Sequence, residues 1–200
     1  MGIVIRNGEV VTASERFVAD LRLEGGTITE MGTRLDPGSG DETIDATGHF
    51  VLPGFIDPHV HMELGFMGTV SADDFEVGTA SGVAGGTTCI VDFCIPAPNE
   101  SMLAALDSWR RKAAKAVCDY SFHMAITSWG DRSAEEMRVV VEEHGITSFK
   151  VFMAYKGAIM IDDAALYSVM REAAKLGAVV TVHAENGDAV WHLQRELVAK

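Results

Sequence analysis

Two rhythms of apolar and polar residues divide the chain. Up to about residue 50, short apolar pieces alternate with turn residues. Val4-Ile5 leads to Asn7-Gly8 and then to Val10-Val11-Thr12. Asp20-Leu21-Arg22-Leu23 alternates before Gly25-Gly26, and Thr27-Ile28-Thr29-Glu30-Met31 ends at Gly32. Period-two alternation between Gly and Asn punctuation predicts strands, and Asn-Gly is a hairpin dipeptide. The expectation is a meander of about four or five short antiparallel strands, with a loop at Pro37-Gly38-Ser39-Gly40 before Thr43-Ile44-Asp45.

Beyond residue 50, apolar runs at 50–56, 87–93, 120–126, 146–152 and 178–183 alternate with helical patterns at 102–117, 134–143 and 163–176. Leu103, Leu106, Trp109 and Ala113 stand at helical spacing in the first of these. Ser133 and Glu136 have the spacing of a capping box, and Gly145 and Gly177 stand where left-handed residues end helices. Strands apolar on both faces, alternating with helices, predict a parallel α/β architecture. The strand starts recur about every 32 residues, so eight units would need about 256, the usual size of a (β/α)8 barrel. Counted from residue 50, a barrel would close only near about residue 306, so the chain is expected to hold about five of eight units and to continue beyond Lys200. A complete, open, doubly wound sheet is the alternative. The expected domains are 1–50, part of a small β-sandwich, and 51–200, the first part of the barrel.

Composition narrows the function classes. Sixteen Lys and Arg against 29 Asp and Glu give a net charge of −13. So acidic a chain repels phosphate backbones and anionic lipid, so neither nucleic acid nor a membrane is expected as partner. No apolar run approaches the ~20 residues of a bilayer span. The first residues lack the basic and apolar regions of a secretory signal. Cys89, Cys94 and Cys118 stand in apolar contexts and are read as reduced core thiols of a cytoplasmic protein.

Three strand ends carry candidate chemistry. Asp57-Pro58-His59-Val60-His61 follows a buried strand, and in extended chain residues i and i+2 share a side. His59 and His61 can therefore offer two imidazoles to one metal ion; two histidines making ordinary hydrogen bonds at a strand end is an equal reading. Lys150 interrupts the apolar run of Ser148-Phe149-Lys150-Val151-Phe152. A desolvated lysine has a lowered pKa, and its neutral amine can add CO2 to become a carbamate with two oxygen donors; a snorkelling lysine whose tip reaches solvent is the alternative. Val182-His183 ends a third strand, where a satisfied core histidine is the usual finding. All three placements coincide at strand C-termini, where barrel active sites are built. His123 lies mid-strand and is read as structural. Asp57 and Asp92 can either orient metal ligands or cap loops.

The segments Phe55-Ile56-Asp57-Pro58-His59-Val60-His61, Ser148–Gly157 and Val182-His183-Ala184-Glu185-Asn186-Gly187 resemble the cyclic amidohydrolases, in particular the dihydropyrimidinase and D-hydantoinase branch. Phe66-Met67-Gly68-Thr69, Gly85-Gly86-Thr87-Thr88 and Asp119-Tyr120-Ser121-Phe122-His123 fit the same branch, in order along the whole chain. The resemblance implies a metal-dependent hydrolase barrel with a small β-sandwich and a hydrolase that opens dihydropyrimidines or 5-substituted hydantoins to N-carbamoyl amino acids. It implies two divalent metals, zinc foremost, with His59 and His61 on one, His183 on the other, and Lys150 as N6-carboxylysine between them. Tyr155 would stabilise the oxyanion, and Met62, Leu64, Phe66, Phe152 and Ile159 would shape the pocket for the exocyclic group. A further metal histidine, an acid–base aspartate and later substrate contacts would fall beyond residue 200. A homotetramer is the implied assembly. Allantoinase, dihydroorotase and a non-enzymatic dihydropyrimidinase-like protein are the rival readings; the segment around Tyr155 argues against the first two, and retention of every ligand the chain can show argues against the third.

Overall fold

The computed structural model describes residues 2–200, and the chain divides into two compact units, one ending at Gly54 and one running from Phe55 to Lys200. In the first unit, β1 (Ile3–Val11), β2 (Arg16–Glu24) and β3 (Thr27–Gly32) form an antiparallel meander. Two further strands, β4 (Glu42–Asp45) and β5 (Phe50–Val51), both lie along β1 in parallel. The expectation of antiparallel strands throughout is corrected here: the long 33–41 connection carries the chain back before β4 begins, which parallel pairing requires.

The hairpin expected at Asn7-Gly8 is also absent. β1 runs straight through it, with a bulge between Ile5 and Gly8 and Asn7 at φ 59°. Asn tolerates the left-handed region, and a bulge needs one such residue as readily as a turn does. The amide that the bulge releases donates to Asp20 Oδ1 at 2.7 Å.

The second unit opens with β6 (Phe55–Val60), followed by the short pair β7 (Gly65–Phe66) and β8 (Thr69–Val70) and by α1 (Phe75–Ala84). Then β9 (Thr87–Cys94), α2 (Met102–Ala113), β10 (Asp119–Ala125), α3 (Ser133–Glu142), β11 (Ser148–Phe152), α4 (Asp163–Lys175), β12 (Val179–His183) and α5 (Gly187–Val198) alternate. The strands pair in parallel in the order β12-β11-β10-β9-β6. The apolar run 50–56 is thus shared between the two units, because Pro53-Gly54 interrupts it.

One face of this sheet packs on the helices. Phe122 and Met124 of β10 and Phe149 and Val151 of β11 join Leu106 and Trp109 of α2, Met137 and Val140 of α3 and Val169 of α4 in one core. The alternate residues, including His123, Ser148, Lys150 and Phe152, therefore lie on the opposite face. His123 on β10 reaches the Pro58 carbonyl on β6, two strands away, at 2.9 Å. Such a contact across an intervening strand requires a strongly curled sheet with this face concave.

The sequence pattern missed α1, whose glycines and β-branched residues carry little amphipathic signal. Its start is capped by Asp74, which accepts from the Val77 amide at 2.8 Å. Gly145 and Gly177 do adopt positive φ, 68° and 65°, just past α3 and α4. The capping box expected at α3 does not form. Ser133 Oγ accepts from Gly130 N, while Glu136 reaches across to accept from Met102 N at 2.7 Å, at the start of α2. Glu136 thus satisfies a donor of a neighbouring helix instead of its own, a choice only packing can make. Removing a side-chain acceptor from a helix start costs about 0.5–2 kcal/mol. Glu136→Ala should lower unfolding stability by that amount in urea denaturation, with the midpoint moved and the slope unchanged.

Candidate metal centre and pocket

The site is built where β6, β11 and β12 end. Proline cannot donate to a ladder, and β6 accommodates Pro58 with a bulge: Asp57 pairs Ile90 and Val60 pairs Asp92, three steps against two. Asp57 Oδ1 accepts from His59 N at 3.1 Å, and the Pro58 carbonyl accepts from His123 Nε2. The irregularity brings His59 and His61 edge to face, with ring centroids 5.3 Å apart. Phe93 of β9 supports both, at 4.5 and 5.0 Å, and supports His123 at 4.7 Å.

Lys150 is only 7% exposed. Its ammonium stands 5.6 Å from the Phe93 ring and 5.4 Å from the Phe152 ring, surroundings that favour a cation only weakly. Burial alone lowers its pKa, with no carboxylate partner acting in the other direction. His59 is held low by desolvation, then by the charges of Lys150 and His123. His61 is held low by desolvation, then by His59 and Lys150. Burial thus acts on all three basic groups in the same direction, away from the charged form, and imidazole and amine offer lone pairs to a metal only when deprotonated.

That donor set fits a divalent cation better than it fits a structural cluster, which would need acidic partners. No group of three or more His, Cys, Asp or Glu side chains gathers at metal spacing among the described residues. Two imidazoles alone make a poor site, and Lys150 is the further nitrogen group whose charge acts on both of them. His183 ends β12 in register with Phe152, its ring 6.2 Å from Phe152 and 5.2 Å from Tyr155. Its Nε2 lies 2.9 Å from Glu185 Oε2. The structure therefore brings His59 and His61 together on Phe93, which Lys150 also faces, and sets His183 next to Phe152 and Tyr155.

Tyr155 has φ 65°, the left-handed region that a bulky residue rarely adopts. Hydrogen bonds from Ala158 N and Met160 N to its carbonyl hold it there. Strain of this kind collects at functional sites. The ring meets Phe66 edge-on at 5.3 Å and lies 6.0 Å from Phe152. Phe66 is presented by the β7–β8 hairpin, where Met67 and Gly68, at φ 51° and 82°, make a two-residue turn, the geometry of a type I′ turn. Phe152 and Ile159 are buried in a small apolar cluster against which Phe66 packs.

Two of the expected pocket residues also touch the main core. Met62 and Leu64 pack against the core between sheet and helices. Met62 Sδ lies where a Cβ on Gly78 of α1 would stand, 2.5 Å away. The chain turns sharply after His61, with Glu63 at φ 47°, so residues 62 and 64 face the helices while Phe66 faces Tyr155. His123, read from sequence as structural, lies close behind the site, with Nε2 at the Pro58 carbonyl next to His59 and its ring on Phe93. Its signal was there: residue 123 alternates with Phe122 and Met124, and so shares the face of Ser121 and Ala125.

The family model described as "Amidohydrolase family" matches residues 50–196. This chain belongs to the amidohydrolase family. It is 46% identical over 98% of its length to the dihydropyrimidinase of Dictyostelium discoideum, covering 39% of that protein. It is 50% identical over 96% of its length to the D-hydantoinase of Geobacillus stearothermophilus, covering 41% of it. The crystal structure of the dihydropyrimidinase from Brevibacillus agri superposes with a TM-score of 0.96 at 46% identity, over all of this chain and 43% of that one. This amidohydrolase chain thus spans about two fifths of the length of its relatives, and its curled parallel sheet is part of a hydrolase barrel. A dihydroorotase structure at 17% identity and a TM-score of 0.66 shares the fold alone. Among the described residues, no helix is long and apolar enough to cross a membrane.

Asp92, behind the site, is 1% exposed. Its Oδ2 accepts from Met62 N at 2.8 Å, while Oδ1 lacks a formed hydrogen bond. Burial pushes its pKa up to about 7, against weaker help from the Met62 and Phe93 amides, Trp109 and Lys112. A raised carboxyl pKa means that the folded state binds the proton more tightly than the unfolded chain. Its contribution is therefore fully present below about pH 4 and is lost as pH rises through about 7, an effect on the order of 4 kcal/mol. Asp92→Asn should flatten that fall in denaturation curves taken between pH 5 and 8; an unchanged slope would assign it to other groups.

Proposed function

We propose that the protein is a hydrolase of cyclic amides, opening 5,6-dihydropyrimidines or 5-substituted hydantoins to N-carbamoyl amino acids. The observation that carries this reading is Lys150: a buried lysine without an acidic partner, beside two imidazoles on one concave surface. The names of the relatives similar over nearly the whole chain support the substrate class. His59 and His61 would hold one divalent ion, His183 a second, and Lys150, carboxylated by CO2 with release of a proton, would bridge them. Such ions lower the pKa of water and polarise a carbonyl.

The chain's own residues do the remaining work. The apolar ground around Lys150 lowers its pKa and so favours the neutral amine that takes up CO2. Tyr155, fixed by its strained backbone, donates its phenol to the oxyanion that develops on the ring carbonyl, a preorganised donor worth several kcal/mol (~2.7–4 for one such bond). Phe66, Phe152 and Ile159 exclude water and receive the ring's exocyclic group. Zinc as the metal, a homotetrameric assembly and a cytoplasmic location complete the proposal and rest on the family resemblance and on cysteine usage.

Lys150→Ala should lose bound metal and hydrolysis together, measured by elemental analysis and by ring opening of dihydrouracil, with partial recovery in added short carboxylic acids. Full metal content in this variant would remove Lys150 from the centre. An apolar wall discriminates by about 1–3 kcal/mol per methylene-sized change. Phe66→Ala should therefore change the ratio of kcat/KM between phenylhydantoin and dihydrouracil about 10-fold or more, with metal content unchanged. Equal losses on both substrates would mean that Phe66 supports the fold only.

A further inference from the structure

We propose that His123 is a positioning residue for the metal centre, a strut that ties the His59–His61 bulge to the strand carrying Lys150. Its two ring nitrogens face different strands: Nε2 lies 2.9 Å from the Pro58 carbonyl on β6, and Nδ1 lies 2.6 Å from Ser148 Oγ on β11. A carbonyl oxygen only accepts, so Nε2 carries the proton; Nδ1 of the neutral ring then accepts from the Ser148 hydroxyl. Both ends fix one tautomer and one ring orientation.

The location gives the strut its purpose. Pro58 immediately precedes His59, and the bulge at this point leaves its carbonyl outside the regular ladder. A bulge without tethers can relax, and a relaxed bulge would swing the two imidazoles apart. Ser148 precedes Lys150 by two residues on one strand, so both stand on the concave face. The ring also packs on Phe93, which supports His59 and His61. His123 therefore links donors from β6 and β11 that no direct backbone pairing connects, since β9 and β10 lie between them. Partners of this sort, which hold ligands without touching the metal, typically account for 10–100-fold in metal affinity.

The inference rests on the metal-centre reading, and the test separates the two. Intact wild type, Lys150→Ala, His123→Phe, His123→Gln and Ser148→Ala are stripped of metal. Each is then titrated with zinc against a chromophoric chelator and with cobalt for its visible spectrum. His123→Phe keeps a ring on Phe93 and loses both hydrogen bonds; it should bind zinc about 10–100-fold more weakly and show an altered cobalt spectrum, with a thermal midpoint close to wild type. His123→Gln, which can still donate to Pro58, should recover most of the affinity. Ser148→Ala should lose several-fold. Wild-type affinity and spectrum in His123→Phe would overturn the strut while Lys150→Ala, losing zinc, upholds the centre. Were His123→Phe unable to fold, unchanged zinc affinity in Ser148→Ala would overturn it equally. A wild type that takes up neither metal would overturn the centre itself.

Discussion

The candidate centre depends on one irregularity in strand pairing. β6 spends three residues where β9 spends two, because Pro58 cannot join the ladder. That single extra residue turns His59 and His61 toward each other over Phe93. Three polar groups near the irregularity are caught by side chains: the His59 amide by Asp57, the Pro58 carbonyl by His123, the Met62 amide by Asp92. Two of these three side chains come from strands other than β6, so the curl of the sheet and the shape of the bulge stabilise each other.

The electrostatics follow from that packing. Burial disfavours the charged form of both imidazoles and of the amine, and the Lys150 charge further lowers His59 and His61. The arrangement is unfavourable for cations of its own and suited to an external one. The energetic strain of holding Lys150 without a counter-ion, and of holding Tyr155 at positive φ, is carried by the large core on the other face of the sheet. That core is continuous from α1 to α4, which allows the concave face to depart from ordinary packing rules.

The helix side shows the same economy of polar groups. Asp92 sits among apolar residues and spends one oxygen on the Met62 amide. Glu136 leaves its own helix to complete the start of α2. Both place an acidic group where a backbone donor would otherwise be orphaned, and both connect consecutive βα units. Met62 completes the seam by filling the space left by Gly78.

The sequence by itself determined the parallel strand–helix alternation, because burial on both faces imposes continuous apolar runs that no local turn can imitate. It also marked the candidate residues, because His59, His61 and His183 are polar where apolar runs stop and Lys150 is polar inside one. Short-range chemistry could not separate a bulge from a hairpin at Asn7-Gly8, since a left-handed Asn7 serves either. Nor could it choose the partner of Glu136, decide that Met62 and Leu64 face the helices while Phe66 faces Tyr155, or bring His123 to Pro58. Those outcomes depend on which strands become neighbours and on how far the sheet curls. They are properties of contacts between residues distant in sequence, and only the tertiary structure decided them.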